Sequence, residues 1–161
     1  MDKIKQNREF FKADFEILKN IKTDKQKGIL APSFQKEYDP NSDLIELPLL
    51  SKDILVKSNV FDCIKDRRSI RKYSNEEISL SELSYLLWAT QGIQNVKDKF
   101  SALRTVPSAG CTHPFETYLI INNVTDLNCG VYRYLPLEHK LLFVKTLNNI
   151  HDKINKATPN Q

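Results

Sequence analysis

The feature that most constrains this chain is a change of apolar period partway along it. Leu83, Leu86, Leu87 and Thr90 fall on one stripe of a helix predicted over residues 80–91. Ser79 and Glu82 stand at capping-box spacing before that stripe, and Gly92 is placed to stop it in a left-handed conformation. Beyond residue 115 the pattern shortens. Residues 116–122, 130–135 and 140–145 read as three strands separated by turn signals, the second connection being residues 136–139. An antiparallel meander is the simplest arrangement of three such strands.

The remaining segments are less regular. Ile4, Phe11, Phe15 and Leu18 recur at helical spacing, so residues 4–21 are expected to form an amphipathic helix covering a core. Residues 22–41 are polar and interrupted by Gly28, Pro32 and Pro40, which predicts an extended arm over the surface, with residues 45–48 docking locally. Val60, Phe61 and Ile64 suggest a short helix over residues 59–66, with Ser58 or Asn59 capping its first turn. Residues 95–104 form a polar stretch, and a last helix over 147–157 carries Leu147, Ile150, His151 and Ile154 on one face. At 161 residues, 40% hydrophobic and 27% charged, the chain has the profile of one globular domain. Its organisation reads as a helix and arm over residues 1–50 and a body over 51–161.

Several function classes are disfavoured. The apolar stretches at 83–89 and 118–121 fall far short of the run of about 20 that crosses a bilayer. Residues 1–12 lack the apolar region of a secretion signal, so a cytoplasmic location is the default expectation. Cys63, Cys111 and Cys129 are odd in number, match no zinc or redox spacing and are expected to be reduced thiols. Gly28, Gly92, Gly110 and Gly130 are too far apart for G-x-G-x-x-G or a Walker loop. A nucleotide-like ligand would have to be gripped by side chains.

The candidate grip lies at residues 65–72, which hold Lys65, Arg67, Arg68, Arg71 and Lys72 against the single acid Asp66, in a chain of net charge +4. If the chain runs extended there, Arg67, Ser69 and Arg71 share a face, because residues two apart in an extended chain do. Two guanidinium groups and a hydroxyl can close on one phosphate. The same run also suits a solvated, self-repelling turn. Pro107, Ser108, Ala109 and Gly110 have side chains small enough for a backbone to approach something flat. His113 and His151 read as structural, Cys111 as packing, Tyr85 and Trp88 as core or interface, and Arg104 as solvent-facing before a loop. No side chain is singled out as a catalytic acid or base, and no metal site is expected.

The string Arg67-Arg68-Ser69-Ile70-Arg71-Lys72-Tyr73, followed by Leu80-Ser81-Glu82-Leu83 and Leu86-Leu87-Trp88-Ala89, resembles the start of the nitroreductase superfamily. Residues 104–110, His113-Pro114-Phe115-Glu116-Thr117-Tyr118 and Gly130-Val131-Tyr132-Arg133-Tyr134 are similar to the branch of SagB-type dehydrogenases and thiazoline or oxazoline oxidases. Residues 24–32 and 45–48 resemble the N-terminal extension of small single-domain members. The resemblance implies an α+β fold, with an antiparallel sheet flanked by helices. It further implies an FMN-dependent oxidoreductase, an obligate homodimer with FMN at the interface, and hydride exchange through flavin N5 with NAD(P)H or an azoline-like substrate. Arg67, Arg68, Ser69 and Arg71 would contact the flavin phosphate, ribityl chain and pyrimidine edge. Pro107, Ser108, Ala109 and Gly110 would line the ring from the other subunit.

Members of the family continue beyond the final helix read here, so the C-terminal part of the flavin domain in residues 51–161 is expected to be missing. The chain then reads as a fragment or a degenerate relative, binding FMN weakly and turning over little by itself. The rival reading is a non-catalytic anion- or flavin-binding module. Nucleic acid ranks low as its partner, for no helix-turn-helix, zinc finger or aromatic-studded RNA-binding pattern occurs.

Overall fold

The computed structural model describes residues 2–10, 12, 15–98 and 100–158. They divide into two compact units, residues 1–32 and 33–161. The first unit holds two short helices, α1 (Lys3–Phe10) and α2 (Phe15–Leu18), where the sequence predicts one. Ile4 and Phe15 are exposed, so these two do not form the expected core-covering stripe. Phe11 and the side chain of Leu18 lie outside the described residues. The first unit is held by local pairs three residues apart, Lys12 with Glu9, Lys19 with Glu16 and Lys27 with Asp24. Such exposed pairs contribute little each.

The second unit is α+β. Its four-stranded antiparallel sheet runs in the order β1 (Leu44–Glu46), β6 (Lys140–Thr146), β5 (Gly130–Leu135), β4 (Tyr118–Ile121). The three predicted strands are all present as the predicted meander, with Tyr132 opposite Leu119 and Phe143, and Tyr134 opposite Leu141. Residues 45–48 do more than dock: Ile45 pairs with Leu141 and makes β1 an edge strand of the sheet, while Leu47 is buried.

Helix α3 (Val60–Asp66) takes Asn59 as its cap, the Asn59 side chain accepting from the Phe61 amide at 2.8 Å. Helix α4 (Leu80–Gln91) carries the full capping box: the Glu82 amide donates to Ser79 Oγ at 3.2 Å, and the Ser79 amide to Glu82 Oε2 at 2.8 Å. The Ser79 hydroxyl, donating to Glu82 Oε2 at 2.7 Å, and after it the Ser79 amide hold the Glu82 carboxyl below the usual carboxylate range. The buried face of α4 is Leu83, Ser84 and Leu87 rather than the expected stripe, for Leu86 and Thr90 are exposed. Gly92 stops the helix, but its φ of −61° and ψ of 148° are extended, not left-handed. A Cβ there would lie 2.4 Å from Trp88 Cδ1 and 2.6 Å from the Trp88 carbonyl, so close approach, not backbone freedom, demands the glycine.

The polar stretch at 95–104 turns out to be structured. It forms most of a hairpin, β2 (Ile93–Asp98) against β3 (Ser101–Arg104). Asp98 closes the turn by accepting from the Phe100 amide at 2.7 Å and the Ser101 hydroxyl at 2.9 Å. The last helix, α5 (Ile150–Ala157), begins three residues later than predicted because Asn149 is left-handed, and it buries Ile150.

The core lies between α4 and one face of the sheet: Leu47, Leu83, Leu87, Ile121, Val124, Tyr132, Tyr134 and Leu141 form one buried cluster. Arg133 points to the opposite face, as alternation along β5 requires. There it meets the segment at residues 33–38, the part of the predicted arm that is not simply a surface run. Gln35 is buried; its amide reaches Glu138 at 2.9 Å and accepts from the Leu137 amide at 3.0 Å.

Candidate functional site

Asn59 starts α3 and the helix delivers Arg67 at its C-terminal cap, with ψ of 126° turning the chain out of helical geometry. From residue 67 to residue 77 no helix or strand forms, so the extended face expected for Arg67, Ser69 and Arg71 is not stabilised by a sheet. All four residues of the candidate grip are exposed. Arg68 folds back: its Nη1 donates to the Lys65 carbonyl at 3.2 Å and the Arg67 carbonyl at 2.8 Å, satisfying acceptors that a helix end leaves open. Lys57 pairs with Asp66, which withdraws the one acid from the cluster. The side chains of Arg67, Ser69 and Arg71 form no hydrogen bond or ion pair with another described residue. Their donors therefore remain available to an anion.

The small-residue turn is built differently. Ala109–Cys111 makes a single 3-10 turn in which Gly110 is left-handed at φ 66°, followed by Cys111 at φ 59° and His113 at φ 39°. The Ser108 hydroxyl accepts from the His113 amide at 3.0 Å and closes the loop. Cys111 donates its thiol to the Ala102 carbonyl at 3.2 Å, the packing role expected of it. Pro107 and Ser108 line two small cavities, of about 200 and 310 Å³. Arg104 and His113 share the larger of these with them. The basic string at 67–71 lines neither cavity, so this chain presents the two candidate groups as separate elements.

Arg104 departs from its solvent-facing expectation. It is 9% exposed, and its Nη2 donates to the Phe34 carbonyl at 3.1 Å while Nη1 reaches Gln91 at 3.3 Å. Burial lowers its pKa, opposed by the charge of Glu116. Burial, and after it the Arg104 charge, pushes the His113 imidazole below its usual range. Arg133 is 3% exposed, donates to the Lys36 and Glu37 carbonyls at 3.1 and 3.3 Å, and lies 6.0 Å above the Tyr38 ring. The Nε of each arginine has no partner among the described residues. Both buried cations are thus solvated by carbonyls of residues 34–37, which ties that segment down.

Three side chains to which sequence reasoning gave no role of their own form a hydrogen-bonded chain, Ser84 and Tyr134 buried and His139 half-buried between them. His139 was legible only as the end of a turn. His151, expected to be structural, is exposed and lies 3.3 Å from the Asn122 amide. The three cysteines are free thiols. Among the described residues no helix is long and apolar enough to cross a membrane, and no group of His, Cys, Asp and Glu is placed to hold a metal ion.

Residues 64–149, just over half of the chain, match the Nitroreductase family. A protein of Methanocaldococcus jannaschii named as a candidate nitroreductase is 35% identical over 100 residues, which is 62% of this chain and 43% of that protein. The chain therefore spans less than half the length of that relative. A crystal structure of a candidate nitroreductase from Anabaena variabilis superposes with a TM-score of 0.57 at 22% identity, over 95% of this chain and 27% of the other. That likeness is one of fold.

Proposed function

The chain belongs to the nitroreductase family, and from that premise we propose that it carries the phosphate-gripping part of an FMN-dependent oxidoreductase of the SagB-type dehydrogenase and azoline oxidase branch. The observation that supports this most is positional. The family match from residue 64 to 149 contains both the basic string at 67–71 and the small-residue turn at 107–110. Arg67, Ser69 and Arg71 suit a phosphate dianion, because their donors are exposed and uncommitted. Arg68, bonded to the end of α3, would act by its charge and by holding Arg67 in place.

Pro107, Ser108, Ala109 and Gly110 would lie against the flavin ring, their small side chains and the left-handed Gly110 permitting close approach. That they belong to a separate element from the grip is what a homodimer with FMN at the interface would need, one subunit supplying the arginines and the other the turn. Residues 51–161 would be the flavin-binding portion and residues 1–50 its N-terminal helix and arm, working in the cytoplasm. Bound flavin would exchange hydride at N5 with NAD(P)H or an azoline-like substrate. The residues of this chain would bind it, orient it and keep water from it.

Calorimetric titration of FMN into flavin-free protein tests the reading. Arg67→Ala and Arg71→Ala should each weaken binding by about 1.5 to 3 kcal/mol, roughly tenfold or more, with the unfolding midpoint unchanged. A protein that takes up no FMN at excess ligand removes the flavin assignment. Tight FMN binding without NAD(P)H turnover would leave a flavin-binding module instead.

A further inference from the structure

Ser84 on α4 is 1% exposed, and its hydroxyl lies 2.7 Å from the Pro48 carbonyl and 2.8 Å from His139 Nε2. The other ring nitrogen, Nδ1, lies 2.8 Å from the Tyr134 hydroxyl. A hydroxyl has one proton to give, and a carbonyl can only accept. The Ser84 proton therefore goes to Pro48, and its oxygen must accept from an Nε2–H of His139. In that tautomer Nδ1 carries a lone pair and accepts from the Tyr134 O–H. The serine–histidine contact is thus wired opposite to a nucleophile and its base, since Nε2 has no lone pair with which to take the serine proton.

We propose that Ser84, His139 and Tyr134 form a proton-sensitive latch, which joins α4, the segment after β1 and the β5–β6 turn while His139 is neutral and loosens when the imidazole gains a second proton. That proton must go to Nδ1, where the Tyr134 O–H already points. Tyr134 would then have to accept and turn its own hydrogen elsewhere. It is 1% exposed, and no second acceptor for its hydroxyl is found among the described residues. The Arg104 guanidinium on β3 already bears on Tyr134, so the ring would gain its charge near another cation; Glu116 in turn bears on Arg104.

The other charged groups around the latch are committed elsewhere. Glu138 is bound by Gln35 and Tyr38, Lys140 pairs with Glu46 of β1, and Glu82 of α4 closes the capping box. His139 itself is left-handed at φ 53°, an uncommon state for a residue with a side chain, and its two ring bonds hold that turn. Burial lowers the proton affinity of His139. A depressed histidine contributes stability that is fully present above the ordinary range near 6.5 and is lost as pH falls below it. The latch does not depend on the flavin reading.

Trp88, the only tryptophan, lines a cavity of about 560 Å³ together with Tyr134, Pro136, Leu137 and His139, so its emission reports on the latch. In the intact protein titrated from about pH 8 to about pH 5, where histidine changes charge, emission should change in one step with its midpoint below about 6.5. His139→Gln should abolish the step, His151→Gln and His113→Gln should leave it, and Tyr134→Phe should move the midpoint upward by removing the O–H that favours the neutral ring. A step that survives in His139→Gln, or a midpoint unmoved in Tyr134→Phe, overturns the proposal. So does ring-nitrogen NMR of the unaltered protein at neutral pH, if it finds the His139 proton on Nδ1 instead of Nε2.

Discussion

The β5–β6 hairpin and the segment from residue 49 to residue 77 are opposites in the same unit. In the hairpin, Tyr132, Tyr134, Leu135 and Leu141 are essentially sealed from water, and every neighbour they need is in this chain. In the other segment, Leu49, Val56, Val60, Phe61, Ile64, Ile70 and Tyr73 are all exposed, and α3 buries no residue. The hairpin is stabilised by area removed from water, whereas the second segment is held by local caps and by the Lys57–Asp66 pair. Exposed apolar side chains in such number are what an interaction surface would present. The candidate phosphate grip sits on the region that the chain does not pack by itself.

The largest effect should come from the hairpin. Leu141→Ala removes a side chain that is 0% exposed and should cost about 2 to 5 kcal/mol, read as a lowered midpoint in denaturant unfolding. A loss no greater than that of a surface substitution would break the contrast. Ser79→Ala, which removes the side-chain half of the capping box on α4, should cost about 1 kcal/mol in the same measurement. Smallest is Phe61→Ala, on a residue 70% exposed, which should change stability by about 0.5 kcal/mol or less in dilute protein. If instead its cost grows with protein concentration, the α3 face is covered by a second copy, and the comparison sharpens into one between a self-sufficient core and an interface.

The local elements that carry the candidate residues were legible because they are written locally. The capped entry to α3, the run of arginines that leaves it and the run of small residues at 107–110 each depend on neighbours a few residues away. What was not legible is that the basic string stays open and unaligned. Arg68 spends its donors on the end of α3, and no strand aligns Arg67, Ser69 and Arg71. The role of Arg104 was misread for a similar reason: position before a loop suggests solvent, but the Phe34 carbonyl 70 residues away draws it inside. The β2–β3 hairpin was a different failure. Strand β2 is almost wholly exposed and lacks alternation, and the one available signal was Asp98, a residue able to close a turn with its own side chain.

By itself the sequence determined α4 with its capping box, the three-strand meander and the position of the basic string, since helix caps, a two-residue period and charge runs act over a few bonds. Only the tertiary structure decided that Leu44–Glu46 becomes the fourth strand, that residues 33–38 are pinned by two buried arginines, and that Ser84, Tyr134 and His139 meet. Those contacts join residues 55 to about 100 positions apart, or turn on which face of a strand is already covered. No local pattern carries that information, because partners so distant are chosen by the burial of everything around them.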